Sequence, residues 1–538
     1  MPDRKEIAGH LADTIHKEIW ETLPQGKENI VQEKAEALAL QKGVQLSNLV
    51  AWEEEPDNYV LMQYFEWELP DDGQHYQRLK DDARHLKELG VGGVWMPPPC
   101  KGTGTNDVGY GVYDLYDLGE FDQRGSVRTK YGTKGQLSEA IAALHSQGIK
   151  AYADVVLNHK AGADEKEVFR VVKVDENNRD QQISEPFDIE GWTRFTFPGR
   201  QGKYSPFQWN FQHFTAVNYD QRTGNMGLYR ILGDNKDFSN RVDDEKGNYD
   251  YLMFADIDYR NRDVIDETFR WCDWFLKETG FDGMRLDAVK HIDAGFMGAF
   301  VRHARLAADR PLYIVGEYWA HSLEQLTRYL AETKDMTALF DVPLHYRMAE
   351  ASHKGRDYDL RTIFDDTLVR SDPLNTATFV DNHDSQPGQA LESWVQDWFK
   401  PLAYALILLR QDGYPTVFYG DYYGIGGPAS IPGKRGMLDV LLSLRRLYAY
   451  GEQVDYFDSP TLIGWVRLGD ERHENSGLAV VLNTADEAGL SMSLGTKHAG
   501  STWQALFVDD NATITLDEDG TAVFPCKGGS VSAYVKKA

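Results

Sequence analysis

Four short apolar runs of this chain end in acids, histidine, arginine or lysine. They are Asp154-Val-Val-Leu-Asn158-His159, Gly283-Met-Arg285-Leu-Asp287-Ala-Val-Lys290-His291, Ile314-Val-Gly-Glu317-Tyr318-Trp319 and Phe379-Val-Asp381-Asn382-His383-Asp384. Alone, each has an ordinary reading: an Asp after a strand caps a helix, and a His near a sheet is a satisfied core residue. Brought to one rim, they concentrate charge at a cost that only use justifies. Two carboxylates on neighbouring strands suit displacement at an acetal carbon, one attacking and one protonating the leaving oxygen. Glycosidases that retain configuration hold those groups about 5 to 5.5 Å apart, and adjacent strands lie about 4.8 Å apart. Asp287 and Glu317 fit that requirement. Arg285, two residues before Asp287, shares its strand face and should keep it ionised as a nucleophile. Glu317 must carry a proton when it first acts.

Such a rim needs a frame that presents strand ends together. From Tyr59 onward, short β-rich runs alternate with helical patterns. Strands are predicted at 60–64, 93–96, 151–157, 283–286, 312–316, 338–342, 378–380 and 416–419. Helices are predicted at 76–89, 136–146, 264–278, 323–332 and 398–410, from apolar spacings such as Leu79, Leu86 and Leu89. This order predicts an α/β fold, a parallel (β/α)8 TIM barrel with its chemistry at the C-terminal ends of the strands. The barrel takes residues 58–159 and 261–450. The connection after the third strand is too long for a loop, so residues 160–260 are predicted to form an inserted β-rich domain. Residues 451–538 alternate with turns and are predicted to form an antiparallel β-sandwich. Residues 1–57 stand apart as a helical extension, with Ile7, Leu11, Ile15 and Ile19 on one face. It packs on the main body or joins copies into a homo-oligomer.

Composition excludes some partners. The formal net charge is −27, which disfavours nucleic acid and anionic membranes and tolerates a neutral polymer. Aromatics make up 12% of the chain, which serves a large core or a sugar cleft equally. The 3 cysteines are Cys100, Cys272 and Cys526, too dispersed for a disulfide framework. The N-terminus lacks an apolar signal segment, and no run is long enough to span a membrane. A soluble cytoplasmic protein is expected, or a secreted one if a leader precedes this numbering.

The four runs resemble the four signature regions of the α-amylase family of glycoside hydrolases. Met62-Gln-Tyr-Phe-Glu-Trp67, Asp107-Val-Gly-Tyr-Gly-Val-Tyr-Asp-Leu-Tyr-Asp-Leu-Gly-Glu120, Asn248-Tyr-Asp-Tyr-Leu-Met253, Phe340-Asp-Val-Pro-Leu-His345 and Trp398-Phe-Lys-Pro-Leu-Ala-Tyr404 extend the likeness toward the liquefying bacterial enzymes. The resemblance implies endo-hydrolysis, with retention, of α-1,4-glucosidic bonds in starch, glycogen or maltooligosaccharides. It implies Asp287 as nucleophile, Glu317 as acid/base and Asp384 as a clamp on sugar hydroxyls. It further implies that Tyr110, His159, Arg285 and His383 line the cleaved subsite, and that Lys290 and Trp319 meet the leaving group. A structural calcium (Ca²⁺) between barrel and insert is implied, held by Asn158, Asp250, Asp256 and the His291 carbonyl, with Asp237 retained nearby. This chain departs from the liquefying pattern at Thr215, where those enzymes carry an Asp that bridges a second metal cluster.

Two rivals remain at this stage. A transglycosylase would use the same carboxylates and pass the glycosyl group to a sugar, which acceptor-side aromatics would reveal. A catalytically idle glucan-binding protein would have lost a carboxylate, and none is lost.

Overall fold

The computed structural model describes residues 58–308, 310–334, 336–507 and 512–537. The helical hairpin expected within 1–57, and any assembly through it, lie outside the described residues.

Eight parallel strands close into a barrel: β1 (Leu61–Gln63), β2 (Gly93–Met96), β3 (Lys150–Val155), β4 (Gly283–Leu286), β5 (Tyr313–Gly316), β6 (Ala338–Phe340), β7 (Thr376–Phe379) and β8 (Tyr414–Phe418). Each pairs with its sequence neighbours, and β1 pairs with β8 to seal the ring. Helices α1 (His75–Leu89), α2 (Lys134–Ser146), α3 (Arg262–Thr279), α4 (Ala294–Ala307), α5 (Leu323–Glu332), α6 (Val342–Lys354), α7 (Lys400–Leu408) and α8 (Arg435–Tyr448) occupy the connections.

Local chemistry sets their ends. α1 buries Tyr76, Leu79, Ala83 and Leu86, at helical spacing, and stops at Gly90, whose φ of 88° suits a residue without Cβ. α2 starts on a capping box in which Thr133 and Gln136 satisfy each other's backbone amides. β6 ends at Phe340 and not at 342 as the sequence pattern suggested. Asp341 accepts from Leu344 N and caps α6, with Pro343 in its first turn. That helix was not anticipated. Its apolar start reads equally as a strand tail.

Between β3 and α3 lies a four-stranded antiparallel sheet, in the order Phe187–Arg194, Glu165–Val174, Asn225–Ile231 and Ala216–Asp220. A short pairing of His159–Lys160 with Ala255–Asp256 ties the two ends of this insert together, directly above β3. After α8 comes a six-stranded sheet and a separate two-stranded antiparallel sheet of Ala488–Ser493 with Thr521–Cys526. Cys100, Cys272 and Cys526 are buried and unpaired. Among the described residues, no helix is long and apolar enough to cross a membrane.

Candidate active site

Strand register brings the acids to one level. Leu286 pairs with Gly316 across β4 and β5, so Asp287 and Glu317 are the next residues out. The ladder continues through them: Asp287 N donates to Val155 O and Glu317 N to Leu286 O, each at 2.9 Å. Arg285 pairs in register with Asp154 of β3. Its guanidinium Nη1 lies 2.9 Å from Asp154 Oδ1 and 2.7 Å from Asp287 Oδ1, and Nη2 lies 2.7 Å from Glu317 Oε2. One fully buried cation thus joins three carboxylates. Trp95 Nε1 and Tyr110 OH donate to Asp154 at 3.0 and 2.8 Å. Ala288 turns left-handed (φ 49°), and its amide donates to Glu317 Oε2 at 3.0 Å.

With Asp384, four carboxyls face one guanidinium, and they do not all ionise together. Burial pushes the Asp287 carboxyl up. Arg285 opposes this, while Glu317, Asp154 and Asp384 add to it. Burial and Glu317 raise Asp384 to about 7. The histidines are neutral. Burial lowers His159 to about 4 and His383 well below its ordinary value, the latter helped by Arg285. His159 Nε2 donates to Tyr110 O at 2.8 Å. Gln63 Nε2 donates to His383 Nδ1 at 2.9 Å, and His383 Nε2 lies 3.2 Å from Asp384 Oδ2.

These groups open into a cavity of about 690 Å³ lined by Tyr110, His159, Asp287, Glu317, Trp319 and Asp384, with Lys290 and His291 further along. Arg285 and His383 lie just behind this lining, His383 stacked on Tyr110 and Trp67. Both are 0% exposed, because a guanidinium shared by three carboxylates and a histidine wedged against Gln63 sit beneath the floor. Lys290 is not a free cation either: its Nζ donates to Glu245 Oε2 at 2.5 Å and Trp319 O at 3.3 Å. The sequence reading missed Trp67, which lines the same cavity. Its ring lies within 4° of the Tyr110 plane and 6° of the His383 plane. It follows the Met62–Phe65 run, so a search beyond β1 for aromatics would have found it. Asp154 was also assigned no role, although it anchors Arg285. A second cavity, about 400 Å³, is lined by Phe364, Arg410 and Phe457. Its Arg410 is already paired with Asp455, and none of the active-site carboxylates or histidines line it.

Asn158, Asp250 and Asp256 are buried together where the insert meets the barrel. Thr215 Oγ1 donates to Asp256, and Asn158 Nδ2 lies 3.3 Å from Asp256 Oδ1. Asp250 Oδ2 has no hydrogen-bond partner. Burial raises Asp250 to about 8 and pushes Asp256 well up, with Asp250 the next cause for Asp256. Two buried carboxylates in mutual repulsion, one oxygen unpartnered, fit a hard cation with oxygen ligands. Among the described residues, no group of three or more His, Cys, Asp or Glu side chains is placed to hold a metal. An ion here therefore depends on amide and carbonyl oxygens as well. Asp237 is not part of this set. Its side chain is 58% exposed and pairs with Arg230, since the chain after Asn235 turns it outward. Lys236 points inward instead, donating to Asp258 Oδ2 at 3.0 Å and Phe214 O at 2.8 Å.

Comparison with known proteins agrees with this geometry. The family described as alpha amylase, catalytic domain, matches residues 77–439. The chain is 48% identical over 481 residues to glucan 1,4-alpha-maltohexaosidase of Bacillus sp. (strain 707), covering 89% of this chain and 93% of that one. It is 44% identical over 491 residues to the cytoplasmic alpha-amylase of Escherichia coli (strain K12), covering 89% and 99%. In fold it is similar to the Anoxybacillus alpha-amylase, with a TM-score of 0.59 at 18% identity over 90% of this chain and 99% of that one. The chain belongs to the α-amylase family of glycoside hydrolases.

Proposed function

We propose that the protein is an endo-acting α-amylase that hydrolyses internal α-1,4-glucosidic bonds of starch, glycogen or maltooligosaccharides with retention. The observation that carries this reading is Arg285, which holds Asp287 and Glu317 on two nitrogens of one guanidinium at the base of an open cleft. Asp287 Oδ attacks the anomeric carbon while Glu317 gives its proton to the departing glycosidic oxygen. Glu317, now ionised, takes a proton from water as that water displaces the Asp287 ester and restores the α configuration. Arg285 stabilises the charge on Asp287 as it leaves. Asp384, beside His383, accepts hydrogen bonds from ring hydroxyls. Tyr110 and Trp67 offer flat faces to the pyranose. The relatives' names favour hydrolysis over glycosyl transfer. A time course on soluble starch and maltoheptaose tests this, with fresh products followed by NMR. Short α-anomeric products with a rapid fall in starch size are expected. Products longer than maltoheptaose would make the protein a transglycosylase, and unchanged substrates would make it an idle binder.

The raised Asp384 carboxyl implies a pH dependence. Asp384 keeps its proton up to about 7 and loses it above, which adds a negative charge beside the carboxylates that share Arg285. The value of kcat/KM is expected to change as pH passes through about 7, where Asp384 changes charge. A flat profile from about pH 6 to about pH 9 would contradict this. For stability the sign is fixed by the raised carboxyl: the unfolded chain loses this proton near 3.8, so the contribution is full below that and gone above about 7.

Calcium is the ion proposed for Asn158, Asp250, Asp256 and the His291 carbonyl. Bound there, it would neutralise the buried acids and tie the insert to the barrel. A chelator is expected to lower the melting temperature. The loss is on the order of 3 to 4 kcal/mol for an ion at a hundred to a thousand times its Kd. An identical melting curve with and without chelator would refute the site. The three buried, unpaired cysteines and the name of the Escherichia coli relative support a cytoplasmic location.

A further inference from the structure

Three consecutive acids, Asp243, Asp244 and Glu245, lie in the insert shortly before Asp250. Asp243 is 1% exposed. Its Oδ2 accepts from Tyr318 OH at 2.5 Å and from Gln325 Nε2 at 2.7 Å, and its amide donates to Lys290 O at 3.2 Å. Glu245 Oε2 accepts from Lys290 Nζ at 2.5 Å. Asp244 faces solvent, its side chain 75% exposed and 3.5 Å from Arg328. Tyr318 directly follows Glu317, and Lys290 lies three residues after Asp287. One short stretch of the insert is therefore bonded to both loops that carry the reacting carboxylates.

We propose that this stretch is a latch on the leaving-group side of the cleft, in which Asp243 is a positioning residue for Glu317 and Glu245 a specificity-determining residue acting through Lys290. The inference rests on the amylase reading of the site. A buried carboxylate that accepts from two side chains forms strong, directional bonds. Through Tyr318 it holds the backbone from which Glu317 projects. A shift of that backbone by 1 Å costs up to about a hundredfold in rate. Glu245 pairs the ammonium that would otherwise reach into a cleft for neutral sugar. It keeps Lys290 against Trp319 O, where the departing sugar must pass. Asp244 makes an exposed ion pair, which is worth little, and serves as the control.

The test measures kcat and KM on soluble starch, and product ratios from maltoheptaose, for the full chain and five variants. Asp243→Asn and Tyr318→Phe are each expected to lower kcat about tenfold with KM within about twofold, as loss of transition-state alignment requires. The double variant is expected to be no worse than the worse single. Glu245→Gln is expected to redistribute the maltoheptaose products, and Asp244→Asn to match the parent. Tyr318→Phe removes one oxygen and keeps the ring's packing, so it decides the matter should Asp243→Asn fail to fold. Parental kcat in Tyr318→Phe, losses that multiply in the double variant, or unchanged products from Glu245→Gln would overturn the latch. An active parent with any of these results overturns the latch alone. A parent that leaves both glucans intact overturns the amylase reading and the latch with it.

Discussion

Asp287→Asn is expected to abolish turnover and leave glucan binding intact. The amide is isosteric and stays beside Arg285 Nη1, which lies 2.7 Å from the native Oδ1, but it offers no anionic oxygen to form the glycosyl ester. Removing a covalent nucleophile from a cooperating set costs more than about 10⁴-fold. The cleft walls, Trp67, Tyr110 and Trp319 among them, are untouched, so affinity should persist. Single-turnover kinetics with maltoheptaose and calorimetric binding to the variant check both halves. A variant within about tenfold of the parental rate would remove Asp287 from the nucleophile's role. Glu317→Gln should behave differently, with a loss that is smaller on substrates whose leaving group needs no proton.

Arg285→Met should be the most damaging change to the structure itself. The side chain is fully buried and meets Asp154, Asp287 and Glu317 at 2.9, 2.7 and 2.7 Å. Breaking a buried ion pair by removing one partner costs about 3 to 5 kcal/mol, because an uncompensated charge remains. Here three carboxylates lose their cation at once. The folded pKa values of Asp154 and Asp287, already raised by burial, must rise further above those of the unfolded chain. The penalty is therefore small at acid pH, where they are protonated in both states, and grows as pH rises. Melting curves of parent and variant should converge toward about pH 4 and diverge toward about pH 7. A pH-independent difference would show that Arg285 acts by packing alone. Arg285→Lys should not rescue activity, since a single ammonium cannot reach Asp287 and Glu317 on separate nitrogens of one plane.

Much of the site was legible because strand ends write it linearly. An apolar run followed at once by acids places those acids at the rim of any parallel barrel. Asp287 and Glu317 stood out by lying at the ends of neighbouring strands, and Asp384 by the family resemblance. The barrel itself was legible from alternation of short and long periodicities, and the insert from a gap too long for a loop. Where reading by period failed, the local pattern had two meanings. Residues 338–342 look like one strand, and only Asp341 accepting from Leu344 N shows a helix start.

Sequence alone therefore determined the fold class and the family, and it singled out the three carboxylates proposed for catalysis, since these depend on the order of residues within single elements. Tertiary structure decided everything that depends on sums over elements far apart in the chain. It buried Arg285 and His383 completely, and set Trp67 beside Tyr110 and His383. It turned Asp237 outward to Arg230 and Lys236 inward to Asp258. It bonded Asp243 to Tyr318, 75 residues away. Burial and electrostatic coupling between strands have no local signature, because a charge's environment is made by neighbours that the linear chain keeps apart.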